Sequence, residues 1–286
     1  MINWKNILLL AFFNLFASFS FASNQATESN SGTNYFVNSK IFGEEQRIQI
    51  YLPDDYKNSS KEYPVMYVMD GDWYFLHGVS YQKSLSYIEH SPEYIVVGIT
   101  TDPILFNRQS FFRTKEFQLK RSKLTNYLAK EIIPFMEKQF RVSDERIYFG
   151  WEIAGLLGAD IFAQHTELFT GYILASPTPL LDDQIEKIER ALNNETMKNK
   201  FIYFSTSQAE SWTTGQTNKL AKLLKEKAPK SLKWKYDILE GEDHYSTPIP
   251  AIYQGLKTYF SDYFPIRFNS LKEFNDFGGL TQLYAH

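Results

Sequence analysis

The segment Arg146-Ile147-Tyr148-Phe149-Gly150-Trp151-Glu152-Ile153-Ala154-Gly155-Leu156-Leu157-Gly158-Ala159-Asp160 holds the residues best placed to do chemistry. It reads as a short β-rich run, a tight turn flanked by glycine, and a helix rich in small residues. A nucleophile elbow has this form. The reactive side chain stands at the apex of a strained strand-to-helix turn, and small residues flank it because the two backbones approach closely. Gly150, Ala154, Gly155 and Gly158 meet that need, and Glu152 stands at the apex. A glutamate there is already an anion at neutral pH. It has no proton for a base to remove, and its attack on an ester carbonyl would give a high-energy mixed anhydride. The second candidate is His244. Of the five histidines it alone follows the last β-rich run, in the acidic, turn-like loop Glu240-Gly241-Glu242-Asp243-His244. His77, His90 and His165 sit in helical patterns, where a packed or surface histidine is the ordinary expectation, and His286 is terminal.

These side chains need a scaffold, and the rest of the chain supplies the pattern of one. Short β-rich runs at Gln46–Leu52, Val65–Met69, Tyr94–Ile99, Ile147–Phe149, Tyr172–Ala175, Phe201–Phe204 and Trp234–Ile238 alternate with helical periodicities. That alternation predicts βα units and a mainly parallel sheet. The nearly continuous apolar runs among them suit strands covered on both faces. Leu124, Tyr127, Leu128, Ile132, Phe135 and Met136 recur at helical spacing, with Pro134 expected to kink or end that helix locally. Leu220, Leu223 and Leu224 mark another helix, and Ile252, Leu256, Tyr259 and Phe260 a late one. The expected fold class is α/β, with about eight strands and helices on both faces of the sheet.

Five stretches in order resemble one family. They are Arg47-Ile48-Gln49-Ile50-Tyr51-Leu52-Pro53, Tyr63-Pro64-Val65-Met66-Tyr67-Val68-Met69-Asp70-Gly71, Glu131-Ile132-Ile133-Pro134-Phe135, Gly150-Trp151-Glu152-Ile153-Ala154-Gly155-Leu156, and the His244 loop with Pro248 after it. From about residue 36 to 264 the chain is similar to the α/β-hydrolase family that includes esterase D-like enzymes and bacterial siderophore esterases. That resemblance implies an α/β-hydrolase fold, and a serine nucleophile, acid and histidine in that chain order. Glu152 takes the nucleophile position and His244 the base position, with Glu210 as the acid candidate after the Phe201–Phe204 strand. The oxyanion hole would use the backbone N–H of Ile153 and one from the Asp70-Gly71-Asp72 turn. Trp73, Tyr74, Phe75, Trp151, Phe111 and Phe112 fall near the expected cleft mouth, and Asn107, Arg108 and Arg113 in a segment where the family often contacts substrate.

Three readings of Glu152 stay open at this point. In the first, the fold has lost serine hydrolysis, binds a small ester-like ligand or a partner, and holds a Glu152–His244 ion pair in the old cleft. In the second, Glu152 acts with His244, as aspartate does in dehalogenase-type α/β hydrolases. In the third, another serine serves as the nucleophile. Ser176 and Ser246 are the nearest, and neither has a glycine-flanked elbow.

Composition narrows the remaining classes. The chain has 286 residues, is 43% hydrophobic and 17% aromatic, and carries a net charge of −3 with both signs interspersed. No basic block suits nucleic acid. No cysteine is present, which excludes a thiol nucleophile, disulfides and thiolate metal sites. Asp70-Gly71-Asp72 lacks the further ligands of a calcium loop, and no histidine pair has metal-ligand spacing. No metal or cofactor is expected, and nothing specifies an oligomeric state. The weakly basic start, the apolar run Ile7–Phe16 and Ser20-Phe21-Ala22 fit a signal peptide over 1–22. A retained anchor is the alternative, but the run is shorter than the ~20 residues of a spanning helix. The expected plan is that signal, a flexible polar linker over 23–35, the hydrolase-like domain over 36–264 and a C-terminal helical tail over 265–286. Such a chain would be exported to the periplasm or secreted, with no membrane span once the signal is cleaved.

Overall fold

A computed structural model of the protein describes residues 31–101, 115–263 and 267–283. Its strands are β1 (Thr33–Ser39), β2 (Glu44–Tyr51), β3 (Tyr63–Met69), β4 (Ile95–Ile99), β5 (Val142–Trp151), β6 (Gly171–Ala175), β7 (Phe201–Ser207) and β8 (Lys233–Leu239). They form one sheet in the order β1-β2-β4-β3-β5-β6-β7-β8. β1 and β2 pair antiparallel, as do β2 and β4, and every other pairing is parallel. The helices are α1 (Gly71–Tyr87), α2 (Lys115–Tyr127), α3 (Ile133–Gln139), α4 (Glu152–Gln164), α5 (Asp182–Ala191), α6 (Ser211–Lys227), α7 (Pro248–Tyr259), α8 (Leu271–Phe277) and α9 (Gly279–Leu283). The eight-stranded, mainly parallel sheet with helices on both faces is the architecture expected from the sequence.

The apolar strands explain the two-sided burial. Successive side chains on a strand point to opposite faces. Val65, Tyr67 and Met69 of β3 therefore join the core under α2 to α6, while Met66 and Val68 join the core under α1 and α7. β5 divides in the same way, with Tyr148 on the first side and Ile147 and Phe149 on the second.

One boundary shifts, and of the kink or end expected at Pro134 only the end is excluded. The polar stretch assigned to a linker through residue 35 already holds the start of β1 at Thr33. Tyr35 and Val37 pack on the core from this edge strand, while Phe36 points to solvent and hides the alternation. The helix carrying Pro134 is not ended by it. A single π-type turn over Leu128–Ile132 links α2 to α3, and Pro134 falls in the first turn of α3. Proline lacks the N–H that would bond four residues back and its ring crowds that carbonyl, so a widened turn just before it relieves both conflicts. Leu124, Tyr127, Leu128, Ile132 and Met136 stay buried through the irregularity.

The topology also fixes where a ligand could sit. β3 and β5 are neighbours, but the chain leaves β3 towards β4 on one side and β5 towards β6 on the other. α1 and α4, which begin directly after β3 and β5, lie on opposite faces. A crevice at the carboxyl ends of the strands follows from this reversal. Residues 1–22, the expected signal, and residues 102–114, with Asn107, Arg108, Phe111, Phe112 and Arg113, lie outside the described residues. Among the described residues no helix is long and apolar enough to cross a membrane.

Candidate functional site

Glu152 is the first residue of α4 and has a left-handed backbone, φ +51°, directly after the extended Trp151. Such a conformation costs a non-glycine residue on the order of 1 kcal/mol and persists only where the surroundings enforce it. The glycines do the enforcing. A Cβ on Gly150 would lie 2.4 Å from the Ala154 carbonyl oxygen, and one on Gly155 would lie 3.1 Å from the Ala175 oxygen and the Pro177 Cα. Strand and helix thus meet backbone to backbone around the turn. The Glu152 carbonyl is further tied by the Thr178 N–H at 3.2 Å.

The parallel register brings the other groups to the same level. Trp151 pairs with Ala175, and Ala175 with Ser205, so Ser176 and Thr206 stand one residue further on, level with the Glu152 turn. Glu210 follows β7 and is fully buried. One of its oxygens hydrogen-bonds His244 Nδ1. The other accepts from Ser176 Oγ at 2.7 Å, the Ser207 N–H at 2.7 Å and Thr206 Oγ1 at 3.2 Å. Burial alone would raise this carboxyl group. The bonds from His244, the Ser207 amide and Ser176 outweigh that and hold its pKa at about 2.

His244 lies between two carboxylates. Nδ1 meets Glu210, and Nε2 faces Glu152 Oε1 at 3.8 Å, a distance for an ion pair and too long for a hydrogen bond. Burial pulls the imidazole towards its neutral form. Glu152 and Glu210 on its two nitrogens overcome that and raise its pKa to about 9. At neutral pH Nε2 therefore carries a proton and cannot take one from a nucleophile. Glu152→Gln is expected to lower the His244 titration midpoint by about one unit or more, read from its imidazole resonances by NMR; an unmoved midpoint would show that Glu210 alone sets it.

The remaining predicted positions separate. Ile153 is buried, with its amide in the first turn of α4, where helical N–H groups have no acceptor within the helix. Gly71 and Asp72 open α1 in the same way after Asp70, itself left-handed at φ +53°. Gly71 is needed for close approach, since a Cβ there would lie 2.8 Å from the Gly98 backbone. The Asp72 side chain turns away to pair with Arg47. Trp73 projects into solvent, and Phe75, expected near the cleft mouth, is instead a core residue packed on Gly98. Its place on the inward face of α1 explains the difference. Neither alternative serine faces His244 as a nucleophile would. Ser176 is wholly buried and donates to Glu210, and Ser246 closes the loop by accepting from the Asp243 N–H at 2.9 Å.

Several participants escaped the sequence reading. Thr206 and Ser207 join Ser176, which the sequence offered only as an alternative nucleophile, in the cradle for Glu210, and Trp212 and Tyr245 flank His244 with ring centroids at 6.0 and 5.3 Å. A signal existed for one of them: Ser207 and Glu210 are three residues apart, the spacing at which a carboxylate reaches back to a backbone N–H. Among the described residues no group of three or more His, Asp or Glu side chains is arranged to hold a metal ion.

Comparison with known proteins identifies the family and the fold. The family model described as "Putative esterase" matches residues 39–246. No curated protein matches the sequence. Among solved structures, an IroE-like serine hydrolase from Shewanella oneidensis is 22% identical with a TM-score of 0.72, over 89% of this chain and 88% of that one. The BES protein from Bacillus cereus is 20% identical with a TM-score of 0.68, over 82% and 97%. The siderophore hydrolase EstB from Aspergillus nidulans is 16% identical with a TM-score of 0.67, over 86% and 99%. At these identities the structural likeness establishes the shared fold, while the family match spans well over half of the chain. The protein belongs to this esterase family and has the α/β-hydrolase fold.

Proposed function

We propose that this protein is an exported member of the esterase family that has lost serine hydrolysis, and that its cleft binds a small ligand. The observation that carries the reading is the Glu152–His244–Glu210 arrangement. At the turn where a nucleophile is presented stands a carboxylate, and it faces a histidine whose two carboxylate neighbours favour its protonated form. Serine catalysis needs a hydroxyl with a neutral imidazole beside it. Both are missing from this arrangement, and the nearby serines are bonded elsewhere. We read Glu152 as a replacement of the family's serine on a retained frame, because the glycines, the left-handed turn and the first-turn amides need no particular side chain at 152. Export rests on the N-terminal pattern of a basic residue, an apolar run and small residues at 20 and 22.

One preparation tests both parts. The protein recovered from the exported fraction of expressing cells should begin at about residue 23. Incubated with a serine-reactive fluorophosphonate, it should carry no adduct by intact-mass measurement. An adduct mapped to any serine would overturn the non-hydrolytic reading. Retention in the cytoplasm with residues 1–22 attached would overturn export.

A further inference from the structure

We propose that the mouth of this cleft binds a quaternary ammonium head group, with Glu152 as its counter-ion and Trp151, Trp212 and Tyr245 as its walls. This rests on the non-hydrolytic reading of the site and names the ligand class. The first observation is aromatic. Trp151, Tyr245 and Trp212 lie with ring centroids 4.9, 5.3 and 6.0 Å from the His244 ring, and Trp151 and Tyr245 are 6.2 Å apart. Trp151 is fixed in place by its indole N–H, which donates to the His244 carbonyl at 3.1 Å. Trp212 and Tyr245 are 64% and 77% exposed, so core packing does not account for them. The faces of such rings attract cations within about 6 Å.

The second observation is charge. Glu152 and the buried Glu210 outnumber the cationic His244. The surrounding loop adds Glu240, Glu242 and Asp243, and contains no lysine or arginine from 240 to 249. A carboxylate-bearing ligand would be repelled there. The third is an open acceptor. Glu152 is partly exposed, and its nearest cationic nitrogen among the described residues is His244 Nε2 at 3.8 Å, so an entering cation breaks no hydrogen bond to reach it. The walls offer faces with few acceptors, which favours a cation that needs no hydrogen bonds over a strongly hydrated primary ammonium.

The test uses the mature protein, choline, and its neutral carbon isostere 3,3-dimethylbutan-1-ol, with binding followed by calorimetry and tryptophan fluorescence. Choline is expected to bind at least about tenfold more tightly than the isostere, and Glu152→Gln to reduce that preference to the part the rings supply. Trp212→Ala, at an exposed position, should weaken choline about fivefold or more without lowering the melting temperature. Equal affinity for choline and the isostere, or an unchanged preference in Glu152→Gln, would overturn the proposal. Aryl-ester turnover is measured on the same wild-type sample. Turnover there overturns the non-hydrolytic reading, whereas absence of both turnover and charge preference overturns the cation site alone.

Discussion

Glu152→Ser is expected to create ester hydrolysis where the wild-type protein has little, raising the rate on short-chain aryl esters by about a thousandfold. The magnitude follows from what a hydrolase loses with its nucleophile, which is on the order of a millionfold in kcat, reduced here because the new triad is not tuned. The serine would inherit the left-handed turn at φ +51°, which the Gly150 and Gly155 approaches impose regardless of the side chain at 152. Removing the carboxylate also takes away one of the two anions that keep His244 protonated. The imidazole then becomes available as a base, with Glu210 still orienting Nδ1. Two controls give the result its meaning. Glu152→Ala shares the loss of charge and lacks the hydroxyl, so it should stay at the wild-type rate. Glu152→Ser combined with His244→Ala should fall back to it. If Glu152→Ser is no faster than Glu152→Ala, the frame around the turn is not a retained catalytic one.

That expectation draws on features readable in the sequence and on others that are not. Glu152 was legible because a strained turn between strand and helix demands small neighbours, and Gly150, Ala154 and Gly155 advertise it. His244 stood out because it lies in an acidic loop after the last strand, away from any helical pattern. Glu210 was legible as the acid candidate through the family resemblance, but the network that holds it was hidden. Ser176, Thr206 and Glu210 come together only because adjacent parallel strands end at one level, and the sequence shows strand composition without strand register. β1 was hidden for a different reason. An edge strand needs one inward face only, and its exposed Phe36 disguises the alternation of Tyr35 and Val37.

The second large effect is on stability. Glu210→Ala is expected to destabilise the fold by about 4 kcal/mol at pH 5.5, because breaking one side of a buried ion pair leaves its partner and the surrounding donors uncompensated. His244 Nδ1, the Ser207 N–H and Ser176 Oγ lose their acceptor together, while Thr206 Oγ1 keeps its bond with Thr213 Oγ1. Glu210→Gln keeps an acceptor and loses the charge, so about half that cost is expected.

The pH dependence supplies a signature that simple loss of packing would not. The Glu210 pKa falls from 4.5 in the unfolded chain to about 2 in the fold. Its contribution is therefore complete above pH 4.5 and is lost as the pH falls through 2. The His244 pKa rises from 6.5 to about 9. Its contribution is complete below pH 6.5 and is lost as the pH rises through 9. Each shift corresponds to at most about 3 kcal/mol, and the two are largely one contact counted from its two ends. Wild-type stability, measured by urea denaturation across pH, should thus contain a plateau between pH 4.5 and 6.5 that declines on both sides. In Glu210→Gln the acid-side decline should flatten, and the alkaline decline should shrink to what Glu152 alone sustains. Unchanged slopes on both sides, with only a uniform drop, would show that Glu210 acts by filling space and not by holding the charge on His244.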